Sequence, residues 1–128
     1  MQYYHSTIIQ DTDFDQAITR VTEALKTEGF GVLTQIDIKE TLKKKLDEDF
    51  RPYTILGACN PPYAFKALSA EDKIGTMLPC NVIVQQVDGG IEVAAIDPVA
   101  SMLAVDNPGL KPIAEEIQDR LHRVIDSL

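Results

Sequence analysis

Apolar and polar residues change their spacing along this chain, and each change marks an element. "YYHSTIIQ" (3–10) carries the aromatic and β-branched residues that strands favour, and predicts a first strand. "DTDFDQAITRVTEALKTEGF" then switches period: Phe14, Ile18, Val21 and Leu25 recur at helical spacing. Acidic residues crowd the start of that helix, as its dipole prefers, and Gly29 supplies the stop. "FGVLTQID" (30–37) predicts a second strand, "IKETLKKKL" (38–46) a short helix capped by Asp37, and "RPYTILGAC" (51–59) a third strand. In "NPPYAFKAL" (60–68) Asn60 suits a helix N-cap and Pro61 the first helical position. Ser69 and Asp72 in "SAEDKIGTML" (69–78) predict a further capped turn. "CNVIVQQVDGGIEVAAID" (80–97) reads as a hairpin, because Asp-Gly-Gly lies between two alternating runs. The closing "NPGLKPIAEEIQDRLHRVIDSL" sets Ile113, Ile117, Leu121, Val124 and Leu128 on one helical face.

The order β-α-β-α-β-α-β-β-α, with short connections and a hairpin, predicts a single α+β domain over residues 1–128: a mostly antiparallel sheet with helices packed on one face. The other sheet face then lacks a cover, and a second copy of the chain is the expected partner, making a homodimer. The hairpin also fixes faces. With Asp88-Gly89 as the turn, Val84 faces Val93, Val82 faces Ala95 and Cys80 comes opposite Asp97. Moving the turn by one residue shifts partners by two and leaves the faces unchanged. Cys80, Val82 and Val84 therefore share an apolar face with Val93, Ala95 and Asp97, while Asn81 and Gln85 point the other way. In the third strand, Tyr53, Ile55, Gly57 and Cys59 share one face, and Thr54, Leu56 and Ala58 the other.

Charge narrows the functional classes. The net charge is −8, with 12 basic and 20 acidic side chains. Both halves are acidic, so neither offers a basic field for a phosphate backbone, and nucleic acid is excluded as a partner. Lys43, Lys44 and Lys45 fan around a helix rather than forming a patch. No apolar run approaches the length of a membrane span, and the N-terminus lacks the basic start and apolar stretch of a signal peptide, which places the protein in the cytoplasm and off the membrane.

Two cysteines in a reducing compartment predict free thiols rather than a structural staple. Cys59 ends a strand one residue before a helix cap, where free N–H groups favour an anion, including a thiolate. Cys80 has Asp97 as its expected neighbour. There is no C-x-x-C and no Cys/His cluster at zinc spacing, and His5 and His122 lie near opposite ends of the chain. "GFGV" lacks the glycine pattern of a dinucleotide loop and enters a strand. Met77 and Met102 read as core fillers rather than haem ligands, and nothing in the sequence requires a cofactor.

"GFGVLTQIDIKETLKKKL", "ILGACNPPYAFKAL", "IGTMLPCNVIV" and "AAIDPVASM" together resemble the domain-of-unknown-function family DUF302, from about Thr27 to Met102. The resemblance implies a small fold of the TATA-binding-protein-like class, with a curved antiparallel sheet backed by helices, typically dimeric and with no established reaction. One departure is "LDEDF", where the family usually has glycine after the leucine. The positions matching the family's pattern are Gly57, Cys59, Asn60, Pro61, Leu78, Pro79, Cys80, Asn81, Asp97, Pro98 and Met102. Their polar subset, Cys59, Asn60, Cys80, Asn81 and Asp97, forms the candidate ligand-binding set. Cys59, Cys80 and Asp97 are the candidate soft-metal ligands.

Three readings follow. A binding or interaction module would hold a small molecule near these residues. A thiol-based redox or soft-metal protein would use Cys59 with Cys80 as its partner. The third reading makes both cysteines small buried hydrophobes and the remaining residues caps and turns. No base stands beside Cys59 in the sequence, so binding is favoured over catalysis.

Overall fold

The computed structural model describes residues 2–128. Strand β1 (Tyr4–Ile9) leads into α1 (Phe14–Thr27), β2 (Gly31–Asp37), α2 (Ile38–Leu46), β3 (Tyr53–Cys59) and α3 (Pro61–Ala70). A 3₁₀ turn (Asp72–Met77) precedes β4 (Cys80–Val87) and β5 (Gly90–Ile96), then come α4 (Pro98–Ser101), a second 3₁₀ turn (Pro108–Leu110) and α5 (Lys111–Asp126). The sheet is antiparallel throughout, in the order β1-β5-β4-β3-β2. It matches the expected α+β architecture. The hairpin register also matches, with Val82 opposite Ala95 and Val84 opposite Val93.

One face of the sheet packs against α1 and α5. Leu56, Val82, Val84, Val93 and Ala95 meet Val21 and Leu25 of α1 and Leu121, Val124 and Ile125 of α5 in one buried cluster. The spacing that predicted α1 holds, with Ala17 joining the buried stripe. Asp13 and Gln16 close its start as a reciprocal cap. At its end Gly29 takes φ +86°, and Phe30 N–H reaches back to Leu25 O at 3.0 Å, the hydrogen bond that a left-handed residue permits there.

A second, smaller cluster of Ala67, Ile74 and Leu110, flanked by Leu78, Met102 and Ile113, joins α3 and α5 to the two 3₁₀ turns. It lies beyond the end of the sheet where β3 stops and β4 starts.

Several local expectations change. The helix expected at 60–68 continues to Ala70, and the capped turn after it is a 3₁₀ turn whose N-cap position is Glu71 and whose start has no side-chain cap. Ser69 lies inside α3, so it is not a cap. In β2 the ladder slips between Val32 and Thr34, leaving Leu33 as a bulge, 67 % exposed. Asp97-Pro98, where no helix was expected, opens the one-turn helix α4.

Candidate functional site

Three neighbouring chain segments meet at one end of the sheet. Because β3 and β4 are antiparallel, the last residues of β3 lie beside the first of β4: Ala58 pairs with Cys80, and Leu56 with Val82. β5 runs out at the same end, into Asp97. Cys80 thus shares the helix-facing side with Leu56, Ala58, Val82 and Val84, as the register predicted. Cys59, next along from Ala58, pairs with Gly31 at the end of the β2–β3 ladder. Both cysteines are half-buried free thiols.

Between this sheet end and helices α3 and α5 lies a cavity of about 280 Å³. It follows the seam between the two hydrophobic clusters. Phe30, Ala58, Cys80 and Ile117 come from the main cluster or pack against it; Ala67, Leu78, Met102 and Ile113 come from the smaller one. Cys59, Asn60 and Tyr63 also line it. The space exists because α3 and α5 present Ala64, Ala67 and Ala114 to it, side chains too short to close the gap.

The wall's amide nitrogen and phenol are engaged. Asn60, only 6 % exposed, makes no side-chain cap on α3. Its Nδ2 donates instead to Glu28 O at 3.0 Å, tying the start of α3 to the end of α1. The cap role expected of it is therefore corrected: burial gives its amide a carbonyl to satisfy across the core. Tyr63 Oη donates to Glu116 Oε1 at 3.3 Å and accepts from Arg120 Nη2 at 3.4 Å. Arg120 and Arg123 are in turn paired with Glu28, and Arg120 also with Glu116.

The five candidate ligand-binding residues divide. Cys59, Asn60 and Cys80 line the cavity. Asn81 is exposed on the opposite face of the sheet, as the pleat requires. Asp97 caps α4, accepting from Val99 N–H at 2.9 Å and Ala100 N–H at 3.3 Å, and Gln118 Nε2 lies 3.0 Å from both its oxygens. Most of these bonds fall on Oδ1, and Oδ2 accepts from Gln118 alone. Among the described residues, no group of three or more His, Cys, Asp or Glu side chains is arranged to hold a metal ion.

Burial pushes the Cys80 thiol up to about 11, and the neighbouring Cys59 adds to the shift. His5 and His122, 117 positions apart in sequence, stack with ring centroids 4.2 Å apart, and His5 Nε2 lies 2.8 Å from Asp126 Oδ1. They meet over β1, which is three strand spacings, about 14 Å, from β3, so they supply no base to Cys59.

The other sheet face is open. Tyr4, Ile36, Ile55, Ile83, Ala94 and Ile96 form its apolar surface. Its charges bond within the face: Arg51 Nε donates to Gln85 Oε1 at 2.9 Å, and Gln85 Nε2 donates to Glu92 Oε1 at 2.7 Å.

Among the lining residues missed in the sequence are Tyr63, Ala64, Ala67, Ile113 and Ala114. For the three alanines the one signal is a short side chain recurring on helices otherwise faced with larger residues.

Fold and site together define a small open-faced α+β layer protein, one antiparallel sheet backed on one side by helices, with an apolar pocket at a sheet end. A family model described as "Domain of unknown function DUF302" matches residues 5–128, and the chain belongs to that family. A solved structure, the uncharacterized conserved protein DUF302 from Bacillus stearothermophilus, is similar at 34 % identity and a TM-score of 0.91, covering 98 % of each chain. No curated protein matches the chain. No described helix is long and apolar enough to cross a membrane.

Proposed function

We propose that this protein is a homodimeric small-molecule-binding module, with the cavity between α3, α5 and the sheet end as its binding site. One observation carries the reading: a preformed, mostly apolar pocket of about 280 Å³ sits beside the cysteines that the sequence singled out. The two cysteines act as wall groups. A Cys80 thiol held protonated well above neutrality is a poor soft-metal ligand, and the histidines stand too far away to serve Cys59 as a base, so binding is preferred to the redox and metal alternatives.

The open sheet face supports the dimer. Five strands at about 4.8 Å spacing and six to eight residues at about 3.4 Å each span roughly 500–600 Å² in plan. Side-chain relief raises this toward the ~800 Å² of accessible surface that each partner contributes to a standard interface. With Arg51, Gln85 and Glu92 bonded to one another, a second copy would meet mainly apolar side chains.

Thermal-shift screening with a metabolite library tests the binding site; Ala64→Phe, which fills the pocket, should abolish any shift that the wild type gives. Sedimentation tests the dimer. Ile83→Asp, which puts a charge at the centre of the face, should convert a wild-type dimer to a folded monomer. A monomeric wild type at ~100 µM would sink the dimer.

A further inference from the structure

We infer that the pocket selects an uncharged, largely hydrocarbon molecule of about ten carbon atoms, two fused rings or a chain of similar bulk. This rests on the binding reading above and adds the chemical class of the occupant.

Size sets the first bound. A cavity of about 150 Å³ lined by aliphatic and aromatic side chains takes one benzene ring. The pocket here is about 280 Å³, nearly twice that, and its wall is built from the same kinds of side chain.

The polar atoms of the wall set the second. The Asn60 amide donor is taken by Glu28 O, and the same side chain packs against Gly29, where a Cβ would lie 3.2 Å from Nδ2. The Tyr63 hydroxyl is held between Glu116 and Arg120. No Lys or Arg lines the cavity. The nearby cations Arg120 and Arg123 are already paired with Glu28, and Arg120 also with Glu116. The remaining side-chain polar groups are the Asn60 Oδ1, an acceptor that would repel an anion, and two thiols, which are weak donors. A carboxylate, sulfonate or phosphate brought into this space would lose its water and find no compensating charge. A neutral hydrocarbon loses nothing and gains the contacts of both hydrophobic clusters.

Neutral and anionic molecules of the same skeleton separate the possibilities. N-phenyl-1-naphthylamine and 1-anilinonaphthalene-8-sulfonate differ by one sulfonate, and both brighten in apolar surroundings. Titrated into the full chain, the neutral dye should bind with 1:1 stoichiometry and at least tenfold more tightly than the anionic one. Decan-1-ol should displace the neutral dye at least tenfold more effectively than decanoate. Ala64→Phe should abolish dye binding, while Phe65→Ala, on the exposed side of α3 and outside the lining, should leave it unchanged. If Ala64→Phe loses its native circular dichroism, Ala67→Leu fills the same space by a smaller step.

Equal affinity for the neutral and anionic members would overturn the charge selection while leaving the binding site standing. Binding that survives both filled variants would move the dye elsewhere and overturn the inference. Failure of the folded protein to bind any of the four molecules would overturn both the inference and the binding reading beneath it.

Discussion

Cys80 offers a quantitative test of how this end of the sheet is built. Its side chain points with Val82 and Val84 toward the helices, and burial lifts its pKa from 9.0 to about 11. At pH 8 an ordinary thiol is about one-tenth ionised, and one with a pKa near 11 about a thousandth. Because the thiolate is the attacking species, Cys80 should react with an aromatic disulfide reagent roughly 100-fold more slowly on this ground alone. Cys59→Ser leaves Cys80 as the sole cysteine and isolates the rate. The same shift bears on stability. Between pH 9 and 11 the unfolded chain releases this proton while the folded chain holds it. Stability from this group is therefore fully present below pH 9 and lost as pH rises through about 11. Two units correspond to about 2–3 kcal/mol. Denaturant unfolding of Cys59→Ser and of Cys59→Ser with Cys80→Ala, at pH 8, 9, 10 and 11, should show the decline only where Cys80 is retained. Cys80 reacting at the unfolded chain's rate at pH 8, or identical pH slopes for the two variants, would refute the reasoning.

Substitutions at three positions test local structure. Asp47 ends α2 in the left-handed region at φ 53°, where glycine carries no Cβ penalty, so Asp47→Gly should stabilise by about 0.5–1 kcal/mol and Asp47→Ala should not. Thermal melts of the pair decide it, since loss of the exposed Lys43–Asp47 ion pair alone predicts equal, small losses. A Cβ on Gly57 would collide with Thr34 Oγ1 and stand 2.8 Å from Pro79 Cγ, so Gly57→Ala should cost about 1–3 kcal/mol in urea unfolding, and a neutral result would remove the close-approach explanation for this glycine. Asn60→Ala should cost about 1–2 kcal/mol through the lost bond to Glu28 O; Asn60→Asp, a good cap but a carboxylate facing a carbonyl, should be no better, and its rescue would restore the capping role.

What the sequence made legible was direction. Period two around Asp-Gly-Gly assigned Cys80, Val82, Val84, Val93 and Ala95 to one face, and the observed register agrees because burial on one side leaves no other pairing. Helical spacing in the same way announced the buried stripes of α1 and α5. What stayed hidden was distance across the fold. Asn60 looked like a cap because capping is a local property, yet its donor is satisfied 32 positions away at Glu28. His5 and His122 meet only because β1 at the sheet edge lies under α5. The pocket is the hardest case, since it is a volume left between elements, and periodicity records which way a side chain points without recording how far it reaches. Ala64, Ala67 and Ala114 satisfy an apolar pattern as well as leucine would, and all three line the pocket. Replacing them with leucine would preserve every predicted face and fuse the two hydrophobic clusters into one. The separation of those clusters, more than the cysteines at their border, is what leaves a pocket at this end of the sheet and makes it the candidate site.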